Sequence, residues 1–279
     1  MNSRPIILSI AGYDPLSGAG ITADIKTAAA LGCYAATCIS ALTVQSTQGV
    51  FRVEPIRPDL VSETLFRLAD DVEFAAVRIG MLGSGEVAGM VAEFLRQVNP
   101  PNVVLDPVLR SSSGAALIDG GIGLIRSELL PLSDVATPNV AEAAALADMG
   151  IGMTSDSDSW KSSLPLLRDL AAKLHELGCR AVVITGGHSR EANDYLNVLD
   201  DSGMNEHVFP GTHLDSRSTH GTGCAFATAL ACELAHGLSL PEAVERSKDY
   251  VRRAIAAAYS VGKGVGPLNH LFRLEGQGQ

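Results

Sequence analysis

The chain has 279 residues, of which 46% are apolar and 19% charged. It can bury roughly three quarters of its unfolded surface without disulfides or a structural metal, and this composition excludes a disordered chain. Lysine and arginine number 21 against 31 acids, a net charge of −10. That balance excludes the basic footprint of a nucleic-acid binder, but one local cleft can still attract an anion.

In chain order, residues 5–11 read as a buried strand and 21–31 as a helix. Residues 34–42 form a second strand, and 58–70 a helix opened by Pro58-Asp59. A strand at 75–79 precedes Gly80. A helix at 86–98 stops at Asn99-Pro100-Pro101. Residues 103–106 form a strand closed by an acid, and 122–130 a helix. A short strand at 135–137 leads into a helix at 140–148. A helix at 163–177 ends at Gly178, before a strand at 181–185. Residues 196–200 and 206–209 predict a hairpin turning at Asp201-Ser202-Gly203. Helices at 223–237 and 240–260 complete the chain. Residues 153–159 read as a polar surface connection.

This alternation predicts one α/β domain over residues 1–279, with a central, mostly parallel sheet covered by helices on both faces. The hairpin adds an antiparallel element late in the chain. Cys33, Cys38, Cys179, Cys224 and Cys232 match no zinc or redox spacing. Four of them sit in apolar surroundings, which predicts buried free thiols and a reducing compartment. The first twelve residues lack a signal-peptide core, and no apolar run is long enough to span a bilayer. A cytoplasmic protein is expected.

Ligands of open parallel sheets bind at the carboxyl ends of the strands. Gly12, Gly80, Asp106, Thr137-Pro138-Asn139 and Gly186-Gly187-His188 all follow predicted strands. The first loop, Gly12 to Gly20, lacks the Lys-Ser/Thr of a Walker loop. It also lacks the spacing and the second-strand acid of a dinucleotide fingerprint. Its glycines could simply allow a turn.

Thr219-His220-Gly221-Thr222-Gly223-Cys224 opens an Ala-rich helix. Helix-terminal N–H groups and glycines suit an anion, and a first-turn thiol is expected to have a lowered pKa. A Gly-rich cap with a buried Cys224 is the plainer reading. Asp106, followed by a Ser-rich loop at 111–114, suits hydrated Mg2+ near phosphate, or a turn cap. Asn139 and Glu142 have the spacing of a capping box, or of groups that position Mg2+ through water.

These motifs, in this order, resemble the hydroxymethylpyrimidine/phosphomethylpyrimidine kinases of the ribokinase-like superfamily. The likeness runs through SIAGYDPLSGAGITADIKTAAALGCY, ALTVQSTQGV, RIGMLGS, VVLDPVLRSSSG, ATPNVAEAAAL, VVITGGH, STHGTGCAFATALA and GKGVGPLNH, nearly the whole chain. GTGC is the most specific piece, since the sugar kinases of the superfamily carry Asp at the last position. The resemblance implies a ribokinase-like fold. It implies ATP-dependent phosphorylation of 4-amino-5-hydroxymethyl-2-methylpyrimidine and its monophosphate on the thiamine pathway, with Mg2+.

It places the ring near Gly12, Asp24, Gln45, Met81 and Val108. Gln45 suits an aminopyrimidine edge, and Met81 offers a soft apolar surface. It places ATP across Thr185, Gly187, His188 and His220, and the transferring phosphate on Gly221, Thr222, Gly223 and Cys224, with Cys224 as base. Asp106, Asn139 and Glu142 would support Mg2+. A homodimer is also implied. Tyr13, Pro15 and Leu16 are bulkier than the family's usual first loop. Thr185 stands where the family commonly has Lys, a charge that Arg110 could supply. A vitamin B6 kinase and a non-catalytic pyrimidine-binding module are the other readings.

Overall fold

A computed structural model of the chain describes residues 4–110, 114, 117–150, 164–187, 192–201 and 203–274. His188, Ser111 to Ser113 and the polar 153–159 segment lie outside the described residues. Among the described residues, nine strands form one sheet. In chain order these are β1 (Ile6–Tyr13), β2 (Tyr34–Ser46), β3 (Gly49–Pro55), β4 (Ala76–Ile79), β6 (Val103–Leu105), β8 (Val135–Ala136), β9 (Ala181–Ile184), β10 (Asp194–Asp200) and β11 (Gly203–Phe209). A separate two-strand pair joins β5 (Gly83–Ser84) to β7 (Ile118–Asp119).

The sheet order is β11-β10-β9-β8-β6-β4-β1-β2-β3. The six central strands run parallel, and β3 at one edge and β10–β11 at the other run antiparallel. The α/β architecture expected from the sequence is therefore present. The helices are α1 (Gly20–Ala30), α2 (Pro58–Asp71), α3 (Gly85–Val98), a short α4 (Ile122–Leu124), α5 (Val140–Leu146), α6 (Leu164–Glu176), α7 (Thr222–Ala235) and α8 (Leu240–Ala256).

Alternate residues of the central strands serve two cores, as a doubly covered sheet requires. Leu8, Ile10, Val77, Ile79, Val103, Leu105 and Val182 pack with Val87, Val91 and Phe94 of α3 and with Leu170 and Leu174 of α6. Ile7, Ala76, Val104, Val135 and Val183 pack against Ala225 to Cys232 of α7 and against Tyr250 of α8. Cys33, Cys38, Cys179 and Cys232 are buried free thiols.

Three elements differ from the sequence reading. The second strand extends to Ser46 and turns into β3, whose mostly exposed residues carry no buried-strand pattern. The helix expected over 122–130 divides into α4, a π-helical turn at Ile125–Leu129 and a 3-10 turn at Leu130–Leu132. The last helix stops at Ala256, short of residue 260.

After α8 the chain folds back over the carboxyl ends of the strands. The His220 amide donates to the Gly266 carbonyl (3.0 Å), and the Gly266 amide to the Arg217 carbonyl (2.9 Å). The buried His270 ring places Nε2 3.2 Å from the Gly18 carbonyl oxygen and Nδ1 3.1 Å from the Thr27 hydroxyl. A neutral ring satisfies both: Nε2–H donates to Gly18, and Nδ1 accepts from Thr27.

Burial, with Lys26 and His220 adding to it, lowers the His270 pKa to about 4. The unfolded chain therefore binds more protons at this site between about pH 6.5 and 4, and stability falls as pH falls through that window. His270 accounts for a loss of about 3 kcal/mol there. Urea unfolding at pH 7 and pH 4 is expected to show a smaller pH-dependent loss for His270→Gln than for the native chain. Equal losses would contradict this account.

Candidate active site

The carboxyl ends of β1, β4, β6, β8 and β9 share one edge of the molecule with the amino end of α7. The first loop is organised by Asp14. Its Oδ1 accepts from the Leu16 amide (2.9 Å), and its Oδ2 from the amides of Gly18 (3.0 Å) and Ala19 (2.9 Å). The same Oδ2 lies 2.8 Å from His220 Nε2. Burial opposes ionisation of Asp14, but the bonds from His220, Leu16 and Ala19 outweigh it and hold the carboxyl below its ordinary range. The Gln45 amide end lies 2.9 Å from His220 Nε2.

His220 was expected on the nucleotide side. The structure instead joins it to Gln45 and Asp14 on the side expected to hold the ring. A side chain at Gly18 would collide with the His220 ring, so the first loop and the α7 loop interlock through that glycine.

An apolar wall stands beside this cluster. A Cβ at Gly12 would come within 3.0 Å of the Met81 sulfur, and Met81 packs with Ala41, Leu117 and Val108. Gly12, Met81 and Val108 therefore meet, with Gln45 reaching His220 nearby. Asp24 is placed differently. It is fully buried, with its Oδ2 accepting from Ser9 Oγ (2.6 Å) and its Oδ1 from Thr228 Oγ1 (2.7 Å).

The turn before α7 is shaped by Gly221, which adopts φ +85°, a conformation costly for any residue with a side chain. No side chain caps α7, so its first N–H groups have no intrahelical or side-chain acceptor. Gly223 is exposed, and nothing lies within 4 Å of where its Cβ would be. Cys224 follows in the first turn.

The expected lowering of the Cys224 pKa does not occur. Burial pushes the thiol up to about 12, with Asp106 and Asp24 adding to the rise and Arg78 opposing it. Desolvation and two nearby carboxylates, which disfavour a thiolate, outweigh Arg78 and the hydrogen bond from the Gly20 amide, which favour it.

Arg78 lies beneath this turn. It is fully buried, and Nη2 donates to Asp106 Oδ2 (2.7 Å), while Nη1 lies 3.3 Å from Asp24 Oδ2. Its guanidinium occupies the space that a Gly80 side chain would take, which explains the glycine two residues later on the same face. Burial works against the charge, but the Asp24 and Asp106 carboxylates keep the guanidinium charged. Asp106 is itself raised, first by burial and then by Asp24, with Arg78 pulling it down.

Asn139 and Glu142 form the expected capping box of α5. The Glu142 amide donates to Asn139 Oδ1 and the Asn139 amide to Glu142 Oε2, each at 3.0 Å. Burial and Asp106 push Glu142 up to about 8. Thr185 pairs with Asn139 across the sheet end, and Gly187 is exposed just beyond. Arg110 is exposed and donates to the Gly114 carbonyl (3.1 Å).

The sequence reading missed Asp14 and Arg78. An Asp followed by Pro after a strand is a turn signal, and an Arg inside an apolar strand is a burial anomaly. The His220 partner of Asp14 and both carboxylate partners of Arg78, however, lie far away in sequence.

The chain matches the Phosphomethylpyrimidine kinase family model over residues 14–269. It is 40% identical over 271 residues to the hydroxymethylpyrimidine/phosphomethylpyrimidine kinase of Streptomyces coelicolor, covering 97% of this chain and 96% of that protein. It also matches bifunctional thiamine-biosynthesis proteins of Geobacter sulfurreducens and Arabidopsis thaliana, spanning about half of their length (53% and 51%).

Among solved structures, an ADP complex of Bacillus subtilis pyridoxal kinase superposes with a TM-score of 0.84 at 30% identity, covering 98% of this chain and all of that one. The phosphomethylpyrimidine kinase of Clostridium difficile superposes with a TM-score of 0.75 at 32% identity, covering 90% of this chain and all of that one. Together with the sheet-end constellation of Gly221, Cys224, Asp106 and Glu142, these likenesses establish that the chain belongs to the phosphomethylpyrimidine kinase family.

Proposed function

We propose that this protein transfers the γ-phosphoryl group of ATP to the hydroxymethyl oxygen of 4-amino-5-hydroxymethyl-2-methylpyrimidine, and then phosphorylates the resulting monophosphate to the diphosphate, as a step toward thiamine. The observation that carries this reading is one juxtaposition. Met81, Gly12 and Val108 form an apolar wall, Gln45 supplies a polar amide beside it, and the uncapped amino end of α7 shares the same sheet edge. A flat aminopyrimidine fits the wall and the amide. The phosphoryl group fits the N–H groups at the helix end.

In the transfer, the bond from the γ-phosphorus to the bridging oxygen of ATP breaks. A bond from that phosphorus to the hydroxymethyl oxygen forms, ADP departs, and the hydroxyl proton goes to the thiolate form of Cys224. Most of the catalysis is positioning and charge stabilisation, supplied by the turn at Gly221, Thr222 and Gly223. The nucleotide lies toward Thr185, Gly187 and His188, with His220 closing the ring side. Asp24, buried between Ser9 of β1 and Thr228 of α7, supports the site from beneath.

Mg2+ fits this acid set. Asp106 raises the proton affinity of Glu142, a repulsion that a divalent ion would relieve. Among the described residues no three ligating side chains gather closely enough to hold a metal directly. Asp106, Asn139 and Glu142 would therefore hold it through water. When bound, Mg2+ neutralises charge on the phosphate oxygens.

ADP release with Mg·ATP tests the reading. The acceptors are hydroxymethylpyrimidine, its monophosphate, pyridoxal and pyridoxine, against a control without acceptor. Turnover on both pyrimidines is expected. Turnover on the B6 compounds alone would move the assignment to the activity of the pyridoxal kinases that the chain resembles in structure. Silence on all four would favour a binding module.

We also propose a homodimer that pairs through the β2–β3 edge, where Leu42, Val44 and Phe51 are exposed. Sedimentation velocity is expected to show a dimer that Phe51→Glu weakens, and a native monomer at micromolar concentration would reject it. No helix among the described residues is long and apolar enough to cross a membrane, and cell fractionation is expected to recover the protein in the cytoplasm.

A further inference from the structure

We propose that Arg78 is a positioning residue for phosphoryl transfer: from inside the sheet it holds Asp106 and Asp24 in place and sets its charge beneath the amino end of α7. This rests on the assignment of that helix end as the transfer site.

The strand pleat gives the first reason. Ala76 belongs to the core that faces α7, while Val77 and Ile79 belong to the opposite core. Arg78, two residues after Ala76, therefore projects toward α7. It occupies a position where an apolar residue would ordinarily complete the packing.

The second reason is connectivity. Nη2 donates to Asp106, and Nη1 pairs with Asp24. The Thr228 hydroxyl lies 2.7 Å from Asp24 Oδ1 and 2.8 Å from the Cys224 carbonyl oxygen, and its single proton is shared between these two acceptors. A continuous polar path thus runs from the guanidinium through Asp24 and Thr228 to the first turn of α7. A second, shorter path reaches Asp106 at the end of β6. Arg78 joins the two elements that must be in register for transfer.

The third reason is that stability does not account for the residue. Replacing a buried ion pair or triad with apolar side chains is often neutral or stabilising. Moreover, Arg78 Nε has no hydrogen-bond acceptor in this site, and Nη1 has only the 3.3 Å ion pair with Asp24. Buried donors without acceptors are costly. A cation kept at that cost, under a turn where the transferring phosphoryl group gathers negative charge, is placed for electrostatic stabilisation.

The test compares Arg78→Met and Arg78→Lys with the native protein, with folding checked by circular dichroism and thermal melting. Arg78→Met is expected to lower kcat about 100-fold or more, with the KM for ATP changed by less than about threefold. Arg78→Lys keeps the charge and is expected to recover kcat to within about tenfold of native. A folded Arg78→Met with kcat within about threefold of native would overturn the proposal.

If Arg78→Met does not fold, Gly80 decides the matter. A Cβ at 80 displaces the guanidinium without removing its charge, because its severest overlap is with Nη1, an outer nitrogen that a lysine lacks. Gly80→Ala is expected to lose kcat, and Gly80→Ala with Arg78→Lys to regain it. A double variant as slow as Gly80→Ala alone would overturn the proposal. If the native protein itself turns over no acceptor, the site assignment fails instead, and the two failures are told apart.

Discussion

Cys224→Ala is expected to lower kcat by about 10²–10⁴-fold, the range lost when a positioned proton acceptor is removed. The KM for ATP should hardly change, because the phosphate-facing groups at this turn are backbone N–H groups rather than the thiol. Cys224→Ser should be nearly as slow, since a hydroxyl is a far weaker acid and its anion is rarer still at neutral pH.

The native enzyme carries its own signature. With the thiol pushed up to about 12 by burial and by Asp106 and Asp24, roughly one site in 10⁵ holds a thiolate at pH 7. Only the thiolate can accept the hydroxyl proton. Raising the pH therefore increases the reactive fraction about tenfold per unit, and kcat/KM is expected to be still climbing at pH 9. A kcat/KM that levels off below pH 8, or a Cys224→Ala enzyme at full rate, would show that the proton goes elsewhere.

The second large effect lies one turn earlier. Gly221→Ala is expected to cost about 3 kcal/mol of stability and to lower kcat/KM for ATP about 100-fold or more. Two causes add. The residue sits at φ +85°, where a Cβ is strained, and that Cβ would overlap the Gly18 carbonyl. The first loop must then shift, and with it the amides that Asp14 gathers and the His220 ring that packs on Gly18.

Gly223→Ala is the control. A Cβ there meets nothing within 4 Å, and alanine favours a helix interior, so the fold should be unharmed or slightly more stable. A loss of ATP turnover in Gly223→Ala without a loss of stability would report a collision with the bound phosphate. Denaturant unfolding and steady-state kinetics on the two variants separate these effects. A Gly221→Ala protein as stable and active as native would refute the close interlock of the two loops.

Much of this molecule was legible before any coordinates. Strands β1, β4, β6 and β9 are near-continuous apolar runs because both of their faces are covered. Gly80 and Asp106 follow β4 and β6 at the carboxyl ends of the strands as expected, whereas β1 runs past the expected stop at Gly12 to Tyr13. The capping box at Asn139 and Glu142 is local chemistry over three residues, and it formed as its spacing predicts. β3 was not legible, because an edge strand with mostly exposed side chains acquires its identity from pairing with β2.

The site divides in the same way. Gly12, Met81 and Val108 could be assigned to one wall by resemblance, and the fold does bring them together. The Asp24–Arg78–Asp106 cluster could not be seen, since its members are separated by 54 and 28 positions (78 − 24 and 106 − 78) and meet only when α1, β4 and β6 pack. The partners of His220, Asp14 and Gln45, were not legible either, because a loop's direction depends on the Gly18 contact and on the C-terminal segment that folds over it.

The sequence by itself determined what depends on near neighbours: the alternation of strands and helices, the glycines that permit the turns, and the order of the motifs that mark the family. Only the tertiary structure decided the charge states and partnerships within the site. Cys224 looked like an activated thiol at a helix start and became a strongly protonated one, because electrostatic energy sums over every charge that folding brings near, whatever its place in the chain.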